Sequence, residues 1–316
     1  MYVAEMPLSL HRTLDFIFRQ PAPAAPIHDL RGWWRRHCDA TRSFSSPGAL
    51  AVVTGFLSDR LGYAFASGYQ SAVHAAWPSL DPQRAAALCV SEANGNGPRD
   101  MQTQIQLRGD TVMVSGEKSF ATLGTFAQNL LVIGRASEVA GRPRLGIVLI
   151  DSDAPGVQLT PHKALSFAPE IPHAHLQLDV RIPAHRLSPD DGWDHLVKPF
   201  GAMEDALVRA AICGHLVGVA RYRSWPVEEL DALAAAATAL AAFDAATDLR
   251  SAAVWRVLEA TLAYADTTIA QADHRLTKAA ADDVNDEVAQ RWVRDRPLML
   301  LARGRRAARL SRAHRK

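Results

Sequence analysis

Apolar positions along the chain follow two different periods, and the change between them divides it into three regions. Up to about Pro82 apolar residues recur at helical spacing, after a Pro/Ala-rich break at 21–26. Within this region, 49–77 is rich in Ala, Leu, Val and aromatics and predicts buried helices, although Gly55, Gly62 and Gly68 lower its intrinsic helix propensity. From 87 to 187 short strands are predicted. Residues 111–115 and 175–180 alternate, 130–133 and 145–150 are continuous apolar runs, and Gly, Pro, Asn and Asp separate them. From about Trp193 the three- and four-residue spacing returns and predicts helices over 203–222, 227–246 and 251–274. Pro226 suits the first turn of its helix, where no backbone donor is needed. The polar, acidic stretch 273–287 reads as a loop between the last two helices, and 302–316 is crowded with arginine. The order helices, strands, helices makes an α+β chain with a β region inserted between helical ones.

Composition narrows the function without naming it. The chain has 316 residues, 48% of them hydrophobic, and a formal net charge of +2. It can bury a sizeable core, and no polyanion-binding surface is indicated. The basic residues Arg303, Arg305, Arg306, Arg309, Arg312, Arg315 and Lys316 lack interleaved aromatics. They read as the solvated face of a helix end, so no nucleic-acid partner is expected. The first residues lack the pattern of a secretory leader. No apolar run approaches the ~20 residues that span a bilayer, so no membrane partner is expected. Cys38, Cys89 and Cys213 are odd in number and far apart, which fits neither a disulfide framework nor a zinc cluster. A reducing cytoplasm is the expected compartment. His173 and His175 share a strand face without a third ligand nearby in sequence, so a surface pair is expected rather than a metal site.

Four segments carry more information, and their order matters more than any one of them. The first is Leu88-Cys89-Val90-Ser91-Glu92, followed by the Gly-rich Ala93-Asn94-Gly95-Asn96-Gly97-Pro98-Arg99-Asp100. For 94–98 a ligand-holding loop and an ordinary turn are equally good readings. The second is Val114-Ser115-Gly116-Glu117-Lys118-Ser119-Phe120-Ala121-Thr122-Leu123-Gly124. The third comprises Asp153-Ala154-Pro155-Gly156-Val157 and Leu178-Asp179-Val180-Arg181-Ile182-Pro183, and the fourth is Arg209-Ala210-Ala211 with Gly214 and Gly218. Together, from about Leu88 to Leu310, they resemble the acyl-CoA dehydrogenase family. The second segment is similar to the family's G-x-K-x-W-I-T-N-G, and the fourth to its R-x-x-x-A-A-x-x-x-G helix.

The resemblance implies a shortened N-terminal helical domain over 1–84, a middle β-barrel or sandwich domain over 85–190, and a C-terminal four-helix bundle over 191–316. It also implies FAD. Ser91 takes the place of a hydroxyl residue that touches the flavin ring. Phe120 stands where the family has a tryptophan over that ring and keeps a π face for stacking. Thr122 keeps a hydroxyl placed near the reactive nitrogen. Arg209 matches an arginine near the substrate, for which a buried ion pair is the plain alternative. The implied partners are an acyl-CoA or other acyl thioester, and a homo- or hetero-oligomer with a related dehydrogenase chain.

Departures from the family pattern concern its chemistry. Counting on from the pair Arg294-Asp295, the position of the family's catalytic glutamate falls at Arg303, followed by Gly304. A guanidinium presents only donors and does not deprotonate, so no catalytic base is expected there. Glu204 and Asp205 sit about two turns before the alternative base position, near Ile212, and neither is the expected base. The family's R-x-x-F-G-x-P segment is reduced to Tyr222-Arg223-Ser224-Trp225-Pro226, and its G-G-x-G to Ala279-Ala280-Ala281-Asp282. The FAD site is therefore expected to be weakened, with the half offered to a neighbouring subunit lost. A catalytically incomplete partner subunit of a flavin oxidoreductase leads the expectations. A repurposed, monooxygenase-like flavoenzyme and a non-catalytic acyl-thioester-binding or scaffold protein follow.

Overall fold

A computed structural model describes residues 5–22, 26–139, 141–243 and 251–299. The helices are α1 (Glu5–Arg19), α2 (Leu30–Thr41), α3 (Pro47–Phe56), α4 (Leu61–Ala76), α5 (Lys198–Tyr222), α6 (Val227–Ala241), α7 (Ala252–Asp282) and α8 (Glu287–Asp295). The strands are β1 (Ala86–Cys89), β2 (Gln104–Arg108), β3 (Thr111–Thr122), β4 (Asn129–Val139), β5 (Arg142–Asp151), β6 (Val157–Pro161) and β7 (His173–Pro183). They fall into two compact units. One contains the described residues within 1–72, 165–170 and 203–316, and the other those within 73–164 and 171–202.

In the helical unit, glycines that weaken helices in isolation turn out to join them. A Cβ on Gly55 of α3 would lie 2.0 Å from the Ala211 carbonyl oxygen of α5, and one on Gly214 of α5 would lie 2.3 Å from that of Val52. No side chain fits between these backbones. Caps fix the helix starts: the side chains of Asp29, Ser46, Ser251 and Asp286 accept hydrogen bonds from the first turns of α2, α3, α7 and α8. The expected loop over 273–287 is corrected here. α7 continues to Asp282, because Ala272, Leu276 and Ala280 remain buried at four-residue spacing and the polar residues between them face outward. α5 likewise begins at Lys198 rather than at 203, after a π-helical turn over Gly192–Val197.

The strand unit is a seven-stranded mixed sheet in the order β1-β4-β2-β3-β7-β6, with β5 paired to β4. Its core comes from one face of the long strands and includes Val112, Val114 and Ala121 of β3 and Ala174, Leu176, Leu178 and Val180 of β7. The apolar run at 130–133 is buried throughout, which is why it shows no alternation. Among the described residues, no helix is long and apolar enough to cross a membrane.

Candidate functional site

The strand carrying Phe120 and Thr122 is interrupted where those residues stand. β3 and β7 pair antiparallel from Thr111↔Pro183 to Lys118↔Leu176, then slip, and resume at Ala121↔Ala174 and Thr122↔His173. The extra residue is a β-bulge at Ser119-Phe120, a device that re-aims a side chain. Its backbone is held from outside the ladder. The Ser119 N–H donates to the Ser91 carbonyl at 2.8 Å, and the Ser119 carbonyl accepts from His162 Nε2, also at 2.8 Å. Ser91 thus joins the site through its main chain, and His162 carries its proton on Nε2.

Behind the bulge lies a buried ion pair. The Lys118 ammonium is fully buried and lies 2.6 Å from Glu92 Oε1. Glu92 also accepts from the Gln102 and Thr103 N–H groups and the Thr103 hydroxyl. Burial alone would push the Glu92 carboxyl up, but the hydrogen bonds from Lys118, Thr103 and Gln102 outweigh it and hold the group below its ordinary range. The Gly-rich stretch between is stapled to itself. Asp100 Oδ2 accepts from the Gly97 N–H at 3.1 Å, and would lie 2.7 Å from a Cβ on Gly95, whose φ is +136°. These glycines make room for their own loop's carboxylate, which is the turn reading of 94–98.

On the sheet face opposite the core, Phe120, Thr122 and His173 come together. Thr122 and His173 are cross-strand partners, so their side chains point the same way. Phe120 is 40% exposed. Its ring stacks on His173 at 4.3 Å between centroids and on His162 at 5.4 Å. His173 is only 8% exposed, and its Nδ1 is buried without a hydrogen-bond partner. Burial, reinforced by His162, pushes its pKa down to about 4, so the ring is neutral at physiological pH. The patch of Phe120, Thr122 and His173 is uncharged at physiological pH and partly open. One unmet hydrogen-bonding atom lies at its base, and an isoalloxazine ring, with its π face and polar edge, fits this character. The expected surface pair holds only for His175, which lies 3.3 Å from Glu117. Among the described residues, no cluster of His, Cys, Asp and Glu could hold a metal ion.

No family model matches the chain. A curated relative, cyclohexane-1-carbonyl-CoA dehydrogenase from Geobacter metallireducens, is 31% identical over 144 residues, which cover 45% of this chain and 37% of the relative. The match thus spans little more than a third of that protein's length. Butyryl-CoA dehydrogenase from Megasphaera elsdenii superposes with a TM-score of 0.51 at 16% identity, covering 87% of this chain and 78% of that one. The chain has an acyl-CoA dehydrogenase-like fold. Its α+β fold also matches the prolyl acyl carrier protein oxidase AnaB, with a TM-score of 0.64, 13% identity, and coverage of 92% of this chain and 93% of that one. The FAD complex of PigA superposes at 0.60 and 12% identity over 91% of each chain.

The remaining residues of interest lie in the helical unit. Arg209 is 3% exposed, and donates to Asp266 Oδ1 at 2.7 Å and to Asp205 Oδ1 at 3.3 Å. That is the geometry of a buried ion-pair network, and it occupies Asp205 as well. Asp295 of the Arg294-Asp295 pair is fully buried and accepts from the Ala168 N–H, while Arg294 pairs with Glu170 at 3.1 Å. Arg223 bonds Asp286, the N-cap of α8. Residues 279–282 form the last turn of α7, where the Ala280 carbonyl accepts from Gln290 Nε2 at 2.7 Å. Helical backbone there has its amides committed to the helix. Arg303, Gly304 and the basic run to Lys316 lie outside the described residues.

Sequence reasoning missed His162, and it weighed His173 only as a metal ligand or as half of a surface pair. The usable signal was alternation in β7, which puts His173 on the same face as its partner Thr122.

Proposed function

We propose that this chain is a flavoprotein that holds FAD against the Phe120, Thr122 and His173 face of its sheet. We further propose that it serves as a catalytically incomplete partner subunit in the oxidation of an acyl thioester. The bulge carries the reading. Ser91 and His162 satisfy the two backbone groups of Ser119, and the strand is thereby freed to turn Phe120 outward beside Thr122. The FAD complex of PigA and the CoA-ester dehydrogenase relative support the class of cofactor and substrate.

When bound, FAD supplies the hydride acceptor. The chain's own groups bind and orient. Phe120 offers a π face, Thr122 a hydroxyl, and neutral His173 keeps charge away from the ring. Removing an α proton needs an anionic base within hydrogen-bond reach. With arginine at 303 the chain brings none at that position, so the base comes from a related dehydrogenase chain. On this reading Arg209 organises the helices around it rather than touching the substrate.

The test is a visible absorbance spectrum with added FAD, then acyl-CoA-dependent reduction of an electron-accepting dye, with and without a related dehydrogenase chain. Flavin bands, no turnover alone and turnover with the partner are expected. Turnover by the chain alone would end the partner-subunit reading. Absence of flavin bands in every sample would end the flavoprotein reading.

A further inference from the structure

Within the Phe120 patch, His173 stands apart from its neighbours. We infer that His173 is a ligand-binding residue, whose Nδ1 shares a hydrogen bond with a polar edge atom of the flavin ring stacked at Phe120. The inference rests on the flavoprotein reading and deepens it.

Three observations carry it. The nitrogen is buried and unpartnered, and such atoms are rare enough in native proteins to require a reason. Its ring lies directly against Phe120, 4.3 Å between centroids, and Phe120 is 40% exposed. It is also the cross-strand partner of Thr122, so any ring seated at Phe120 and Thr122 borders His173 as well. His162, like Phe120, is an exposed member of the cluster, and its Nε2 donates to the Ser119 carbonyl. At neutral pH the imidazole is uncharged, so Nδ1 meets the ring as a neutral donor or acceptor.

The competing role for His173 is a flat filler beneath Phe120, in which the nitrogen does nothing. Two substitutions separate these. His173→Phe keeps the ring and removes the nitrogen, whereas His173→Asn removes the ring and keeps a polar atom near the position of Nδ1. FAD affinity is read from quenching of flavin fluorescence, alongside the position of the visible flavin bands. Wild type is expected to bind most tightly, Asn next, and Phe about tenfold more weakly than wild type with shifted bands. Without FAD, the Phe variant is expected to melt at or above wild type, because it no longer buries an unmet polar atom.

Wild-type affinity and bands in His173→Phe, or binding by Phe that exceeds Asn, would overturn the assignment and leave the flavoprotein reading intact. Absence of FAD binding by wild type would overturn both. If His173→Phe does not fold, His173→Leu against His173→Asn makes the same comparison of an apolar with a polar side chain of equal size.

Discussion

His173 and Arg209 show how burial turns single residues into measurable quantities. Unfolded, the His173 imidazole takes a proton near its ordinary value of 6.5, while in the fold it resists protonation down to about 4. The unfolded chain therefore binds more protons across that window. The resulting stability is fully present above pH 6.5 and is lost as pH falls toward 4. Urea unfolding at pH 7 and pH 5 is expected to show this loss in wild type, and His173→Phe to lose about 1 kcal/mol less between the two. Arg209 makes the opposite case, a charge kept buried by its partners. Arg209→Met leaves Asp205 and Asp266 without their guanidinium and is expected to cost about 3 kcal/mol in urea unfolding. Unchanged stability combined with a raised KM for acyl-CoA would instead place Arg209 at the substrate.

At the scale of elements, close backbone approach and a bulge do the organising. Gly55→Ala sets a methyl group against the Ala211 carbonyl of a neighbouring helix. Neither backbone can give way by rotation, so α3 and α5 must move apart. A loss of about 3 kcal/mol, read as a lowered thermal midpoint, is the expected result. In β3 the ion pair beneath the bulge sets the other constraint. Lys118→Met strands the Glu92 carboxylate in the interior and is expected to destabilise by about 3 kcal/mol. Pairing it with Glu92→Gln should recover part of that loss, because the remaining group is then neutral and still donates and accepts hydrogen bonds. Equal unfolding midpoints for the single and double variants would mean that the buried charge is not what costs.

For the whole molecule, cofactor binding and stability are linked. A ligand that binds only the folded state, at one hundred times its dissociation constant, adds about 2.7 kcal/mol. FAD is therefore expected to raise the melting midpoint of wild type in a concentration-dependent way, and to raise that of Phe120→Ala less. Calorimetry with FAD titrated in provides the measurement, and because two compact units are present, their transitions need separate fitting. Arg303→Glu returns a carboxylate to the place where the sequence pattern puts a base. If that position serves as the resemblance implies, acyl-CoA should reduce the bound flavin faster in this variant than in wild type.

Much of this was legible in the chain itself, since periodicity is a local property. The switch from helical spacing to alternation and back located both classes of element, and the ordered segments from Ser91 through Phe120 and Thr122 to Arg209 pointed to an acyl-CoA dehydrogenase-like fold. Alternation in β7 even assigned His173 its face. What the tertiary structure decided depends on residues distant in sequence. The bulge exists because Ser91 and His162 satisfy a backbone that the ladder cannot. His173 is buried on an outward face because Phe120 stacks on it. The acidic end of α7 stays helical because Leu276 and Ala280 have a core to pack against. A one-dimensional pattern records which side of an element is apolar, and it holds no record of what the rest of the chain brings to the other side.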